Sequence, residues 1–182
     1  MQIRQLVLDD AVPYHALRLR MLRVFPDAFN SSYEEDSQKP LAWAEQRIVP
    51  DAAALHDFVL GAFADTGELI GSVGLAVESR MKQRHKALLF GMYVAPEAGS
   101  RGVGRALLTA CLERARAIPG LEQVNLSVTA TNDRARRLYE SAGFVTFGVE
   151  ERAIKVEAAY FAKAHMVLRL AVVPLRSSDN RD

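Results

Sequence analysis

Residues 87–108 read Ala-Leu-Leu-Phe-Gly-Met-Tyr-Val-Ala-Pro-Glu-Ala-Gly-Ser-Arg-Gly-Val-Gly-Arg-Ala-Leu-Leu, and this stretch decides the fold. Residues 87–94 are apolar and uncharged, so they are expected to form a strand buried on both faces. Pro96 and Gly99 then break the strand. From Val103 the apolar residues fall at Val103, Leu107, Leu108, Cys111, Leu112, Ala115 and Ile118, the spacing of one helix face. The strand therefore ends in a glycine-rich turn that opens a helix.

Such a turn suits an anion. The first amides of a helix have no intrahelical partner, and the helix dipole adds partial positive charge there. Gly99, Gly102 and Gly104 let a phosphate approach the backbone across the loop that also holds Ser100 and Val103. Arg101 and Arg105 add fixed cations. The turn is not a P-loop, because no Gly-Lys-Ser/Thr follows. It is a poor dinucleotide fingerprint, because Leu107 stands where a small residue should, and no acid ends a following strand to take a ribose.

The 182 residues suit one domain over 1–173, followed by a polar, disordered tail over 174–182. At 49% hydrophobic residues, the chain can bury a sizeable core. A net charge of +1 gives no push toward nucleic acid or membrane. The single cysteine, Cys111, excludes internal disulfides and a cysteine-built metal site, and no metal is expected. It falls on an apolar helix face, as a structural thiol would. No apolar run reaches membrane-span length, and Arg4, Asp9 and Asp10 interrupt any signal-peptide core. A cytoplasmic protein is expected.

Working outward, residues 2–7 form a short strand. Asp9 or Asp10 can cap a helix whose apolar face is Tyr14, Leu17, Met21 and Val24, with Arg18, Arg20 and Arg23 as a solvated face. Residues 29–36 (Phe29, Asn30, Ser31, Ser32, Tyr33, Glu34, Glu35, Asp36) mix aromatics, hydroxyls and carboxylates. They suit a substrate lip. They equally suit a capping loop in which Ser31 or Ser32 starts a helical turn. A helix over 41–48 follows, then strands over 58–64 and 69–77 joined by a turn at Gly67. Gly71 and Gly74 mark bulges or close packing. After the central helix, Val124, Leu126 and Val128 alternate with polar residues as in a strand. Asn132 caps a further helix ended by Gly143, with Arg134, Arg136 and Arg137 facing out. Strands over 144–149 and 164–173 complete the chain.

Two stretches resemble the GNAT superfamily of acyl-CoA-dependent N-acetyltransferases. Residues 92–108 resemble its pyrophosphate loop, Gln/Arg-x-x-Gly-x-Gly/Ala. Residues 126–144 resemble its second cofactor motif, Asn-x-x-Ala-x-x-Leu-Tyr-x-x-x-Gly-Phe. The resemblance implies an α/β (α+β) single-domain fold: a mixed, mostly antiparallel twisted sheet of about seven strands with about four helices. One position departs. With Gly102 and Gly104 in the two small positions, the Gln/Arg position falls on Gly99. Arg101 can supply the missing charge.

The resemblance further implies acetyl-CoA as co-substrate, direct attack by an amine, and Tyr139 as general acid at the coenzyme sulfur. Met92, Tyr93 and Val94 join the loop in holding the coenzyme. A backbone amide near Val94 meets the oxyanion, and Asn132 contacts the pantetheine arm. The central strand lacks the glutamate that many members use as base, so Glu34 or Glu35 on the lip is the candidate, with Glu34 first. Phe29, Ser31, Ser32, Tyr33 and Glu35 are the candidate acceptor contacts. Carboxylates beside aromatics suit a cationic amine, on a small molecule or a protein. Two other functions are compatible with parts of the sequence: an acyl-CoA-binding module with lost catalysis, and nucleic-acid binding through Arg134, Arg136 and Arg137, against which the low net charge argues. A homodimer is compatible with such a fold.

Overall fold

The computed structural model describes residues 1–49, 56–99 and 101–170. Strand β1 (Gln2–Gln5) leads through a 3-10 turn (Leu8–Asp10) into α1 (Ala11–Val24), α2 (Tyr33–Ser37) and α3 (Leu41–Ile48). Strands β2 (Phe58–Phe63), β3 (Leu69–Val77) and β4 (Lys86–Val94) follow. A second 3-10 turn (Pro96–Ala98) precedes α4 (Val103–Arg116). Then come β5 (Gln123–Thr129), α5 (Asp133–Ser141), β6 (Val145–Val156) and β7 (Ala159–Arg169). The tail expected over 174–182 and Ser100 lie outside the described residues.

The strands form one seven-stranded sheet in the order β1-β2-β3-β4-β5-β7-β6. Every pairing is antiparallel except β4 with β5, as the expected mixed, mostly antiparallel sheet requires. That one parallel pairing is short. It joins Lys86, Ala87 and Leu88 to Gln123, Val124 and Asn125 and then stops. Beyond it β4 stays with β3, and β5 stays with β7. The sheet therefore opens between its two halves.

Helix α4 covers one face. Its stripe of Val103, Leu107, Leu108, Cys111, Leu112 and Ala115 is buried against Leu75, Leu89, Val124 and Leu126. Each such leucine removed from water contributes roughly 1.5–3 kcal/mol. The other face is covered by α1 and α3, through Tyr14, Leu17, Met21, Ala44 and Ile48 against Val59, Leu69 and Tyr93. Gly74 lies under the Phe90 ring, where a Cβ would sit 2.3 Å from it. The β3–β4 register shifts between Ser72 and Gly74, which is the bulge the glycines announced.

Several expectations are corrected. Residues 87–94 are not buried on both faces: Leu88 is 44% exposed, and Phe90, Gly91 and Met92 are half-buried. Leu88 is paired on both edges, so it is one face of β4 that is open there; past Leu88, β5 no longer pairs with β4. Arg18 is not on a solvated face. It is buried, and its Nε donates to Asp36 Oδ2 at 2.5 Å. Asp10 does not cap α1 with its side chain; it accepts from Val7 N at 2.8 Å and from both Arg4 guanidinium nitrogens. Val24 is exposed. The last two strands run much further than 144–149 and 164–173, because charged residues at 150–152 hide the strand pattern of β6. The short helix α2 realises the capping alternative at residues 32–35.

Candidate active site

The divergence of β4 and β5 makes a slot, and three elements meet at its mouth. A Cβ on Gly104, in the first turn of α4, would lie 3.5 Å from Leu138 Cδ2 of α5 and 3.6 Å from both Met92 Cε and Val94 Cγ2 of β4. Gly91 has φ 59° with open space around it, and its carbonyl accepts from Ser72 Oγ at 3.1 Å. This bulge re-aims β4 so that Met92 and Val94 pack with the α4 layer while Tyr93 packs with the α1 layer. The candidate coenzyme residue Tyr93 therefore directs its side chain away from α4.

Gly102 is the N-cap residue of α4 at φ 78°, in the left-handed region, and among the described residues no side chain accepts from the first amides. The first loop-closing bond is from Ala106 N to Gly102 O at 3.0 Å, so the amides of Val103, Gly104 and Arg105 have no intrahelical partner. Arg101 and Arg105 are exposed beside them. The nearby acid Glu97 is engaged: Arg20 grips it with two bonds of 2.6 Å. The turn thus concentrates unsatisfied donors and positive charge.

Helix α5 begins differently. Asn132 Oδ1 accepts from Ala135 N at 3.1 Å, and its NH2 group has no partner among the described residues. One and two turns on are Ala135 and Tyr139, on the inner stripe. Tyr139 is 6% exposed and its ring meets Phe144 edge-on at 5.8 Å. Burial, with Cys111 adding to it, raises the phenol above its ordinary pKa, so it remains protonated at neutral pH. Its hydroxyl makes no hydrogen bond among the described residues. Burial also pushes the Cys111 thiol up to about 12, which leaves it inert.

The lip lies between α1 and the far sheet half. Thr129 Oγ1, at the end of β5, donates to Asp27 O at 2.7 Å, and Lys163 Nζ of β7 donates to Ala28 O at 2.8 Å. Most of its candidate residues already hold it together. Ser32 and Glu35 form a reciprocal capping box at 3.1 Å each way. Ser31 Oγ accepts from Arg18 Nη2 at 3.0 Å. Tyr33 lies under the Arg23 guanidinium at 4.1 Å, and Phe29 packs on the α1 layer. Glu34 and Glu35 are both exposed with no ion pair among the described residues, but only the Glu34 carboxylate is also free of a hydrogen bond among them.

The sequence model of the Acetyltransferase (GNAT) family matches residues 19–144. The chain belongs to this family. The spermidine N(1)-acetyltransferase of Vibrio cholerae is 33% identical over 81 residues, covering 43% of this chain and about half (47%) of that relative. Among solved structures, a GNAT acetyltransferase from Streptococcus pneumoniae superposes with a TM-score of 0.77 at 24% identity, covering 93% of this chain and 99% of that one. A putative acetyltransferase from Salmonella typhimurium, solved with acetyl-CoA, gives 0.76 at 20% identity and 98% coverage of both. The fold is thus that of the GNAT acetyltransferases. Within it, the residues present fit an acyl-CoA: a helix start with no side-chain cap among the described residues, and a Gly104 cradle between α4, α5 and β4 that a larger side chain would fill.

Sequence reading missed two features here. Tyr93 Oη is buried without a partner among the described residues, and nothing in an apolar run marks such a hydroxyl. Arg134 reaches the loop from α5, its guanidinium nitrogens 3.4 and 3.6 Å from where a Cβ on Gly99 would stand. Its position two residues after the capping Asn132 was the available signal.

Proposed function

We propose that this enzyme, with residues 1–173 as one catalytic domain, transfers the acetyl group of acetyl-CoA to a primary amine by direct attack. The observation that supports this is the meeting of the α4 start, β4 and α5 around Gly104, where Leu138 of α5, the neighbour of Tyr139 in sequence, comes against the first turn of α4. Acetyl-CoA, when bound, supplies an activated thioester carbonyl. The amine nitrogen bonds to that carbon as the carbon–sulfur bond breaks. Amide donors of the α4 turn bind the coenzyme's phosphates, and Asn132 holds its pantetheine arm. A backbone amide near Val94 takes the negative charge that grows on the carbonyl oxygen. Tyr139 donates its proton toward the departing sulfur; its raised pKa keeps that proton in place until negative charge appears.

A lysine-like amine titrates near 10.4, so freeing its lone pair at pH 7 costs roughly 4–5 kcal/mol. We assign that proton to Glu34, directly or through water. The acceptor is a cationic amine of the polyamine kind: the lip is acidic and aromatic, and one relative acts on spermidine. A cytoplasmic location accords with the single, buried cysteine. No helix among the described residues is long and apolar enough to cross a membrane.

The test is amine-dependent release of free thiol from acetyl-CoA across spermidine, spermine, amino acids and a lysine peptide. Turnover is expected, highest with polyamines. Tyr139→Phe should lower kcat by about 10²–10⁴ while leaving the acetyl-CoA Kd unchanged. Glu34→Gln should remove the acidic limb of the pH–rate profile. A wild-type chain that binds acetyl-CoA yet turns over no amine would sink the catalytic reading and leave the binding module.

A further inference from the structure

Gly99 stands where the family carries Gln or Arg, and the structure explains why no side chain can grow there. A Cβ on Gly99 would lie 2.9 Å from Pro96 O. That carbonyl cannot withdraw, because it already accepts from Gly99 N at 3.0 Å and closes the 3-10 turn. The backbone angles of Gly99, φ −59° and ψ 156°, suit any residue; the obstacle is contact. The same probe point is met on its other side by the Arg134 guanidinium, at 3.4 Å from Nη2 and 3.6 Å from Nη1. The charge missing from the loop is present above it, delivered by α5.

That guanidinium is uncommitted. Arg134 has no ion pair among the described residues. The acids of its own helix, Asp133 and Glu140, pair with Arg136 at 3.9 and 3.6 Å. Glu97, the acid in the loop's own 3-10 turn, is held by Arg20 at 2.6 Å. Arg134 thus stands over Gly99, in the loop that also carries Arg101 and leads to Arg105 at the positive end of α4, with no ion pair of its own among the described residues. Like charges gathered this way are unfavourable alone and suit a ligand with adjacent negative charges. The planar fork of arginine matches a diphosphate better than a point charge does.

We propose that Arg134 is the diphosphate-binding side chain of this enzyme, replacing in space the residue that Gly99 lacks in sequence. The proposal rests on the acyl-CoA reading of the α4 turn. It requires that α5 contributes charge at the loop as well as the phenol at the slot. It also requires Gly99 and Arg134 to act as a unit, so that restoring the family residue at 99 does not substitute for Arg134.

The experiment is calorimetric titration of the purified chain and its variants with CoA, 3′-dephospho-CoA and pantetheine. Arg134→Ala should weaken CoA and 3′-dephospho-CoA by the same factor, about ten- to hundredfold, and leave pantetheine unchanged. Its CoA affinity should also depend less on salt than the wild type's. Arg134→Lys should recover part of the loss. Gly99→Arg added to Arg134→Ala should recover none, because its Cβ meets Pro96 O. Wild-type affinity in Arg134→Ala overturns the proposal. So does a deficit that vanishes with 3′-dephospho-CoA, which would assign Arg134 to the 3′-phosphate, and so does an equal loss for pantetheine, which would mark a structural role. If the wild type binds no CoA, the acyl-CoA reading of the turn fails first and the proposal with it. Unchanged melting of Arg134→Ala would exclude misfolding as the cause of any loss.

Discussion

Helices α4 and α5 both begin at the slot, and they begin in opposite ways. Helix α5 supplies its own cap, with Asn132 accepting from Ala135 N. Helix α4 starts at a left-handed glycine, with its first amides unpaired among the described residues and Arg101 and Arg105 exposed nearby in sequence. A start that the chain completes is structural. A start that it leaves open, at the end of a strand that has lost its neighbour, is built for something else to complete. Helix α2, on the lip, belongs with α5: Ser32 and Glu35 close it from within. Each prediction below converts one kind of start into the other, or measures what keeps them apart.

The largest effect is expected on the lip. Asp36 is fully buried between Arg18 and Lys39. Asp36→Asn leaves the Arg18 guanidinium buried beside a neutral partner, which should cost about 3–5 kcal/mol of stability. Thermal melting reads that directly. Acceptor KM should rise as the lip loosens, while CoA affinity at the intact α4 start stays the same. The wild type should also show an acid limb. Burial alone would push the Asp36 carboxyl up, but Lys39 and Arg18 outweigh it and hold it below the ordinary carboxylate value. The stabilisation is therefore complete above the unfolded value near pH ~3.9 and disappears as pH falls through the lower folded value. Asp36→Asn should lack this dependence.

Next is Gly102→Asp, which gives α4 the kind of cap that α5 has. Aspartate tolerates the left-handed region better than most residues, and nothing lies within 4 Å of its Cβ. Its carboxylate would satisfy the orphan amides and repel phosphate. Melting should change by no more than about 1 kcal/mol. Affinity for CoA should fall about a hundredfold, as expected when an internal carboxylate replaces a bound anion. If Gly102→Asp binds CoA normally, the open start is not the anion site. Asn132→Ala is the reciprocal change, removing a cap rather than adding one. It should cost about 1 kcal/mol in stability. A CoA loss beyond that would report the free Asn132 NH2 group on the pantetheine arm.

These contrasts also mark what was legible in the sequence. The spacing of Val103, Leu107, Leu108, Cys111 and Leu112 names one buried helix face, because burial follows period directly. The Asn132 cap and the glycine turn were readable for the same reason: each is a local geometry with a local residue requirement. The divergence of β4 from β5 was not. It depends on where a pairing between segments 37 residues apart in sequence ends, at Leu88 with Asn125, and no run of apolar residues encodes that. Arg18 misled, because Asp36 arrives from the next helix and buries it. Arg134 faces out as expected, but helical position alone does not say that its guanidinium reaches Gly99 in a different element. Long charged side chains take their roles from partners that are distant in sequence, so helical position alone underdetermines them.

The smallest predicted effect concerns the other face of β4, where an unmet polar group recurs away from the helix starts. Tyr93 is 4% exposed, its ring edge-on to Phe25 at 6.2 Å, and its hydroxyl has no partner among the described residues. Burial raises its pKa, so the group stays a neutral donor at neutral pH. A buried hydroxyl without a partner costs about 1–3 kcal/mol relative to one that is paired, so removing it should not destabilise the fold. Tyr93→Phe should therefore melt at the wild-type temperature or slightly above, by the equivalent of at most about 1 kcal/mol. Because its side chain points to the α1 layer and not to the α4 turn, CoA affinity should be unchanged. Acceptor KM is the discriminating readout. A rise of a few fold would mean that the hydroxyl is left open for the amine substrate, as the α4 amides are left open for phosphate. An unchanged KM would mean that an unmet donor in this protein marks a ligand only where it sits at an uncapped helix start, and the contrast between α4 and α5 would then carry the whole assignment of the site.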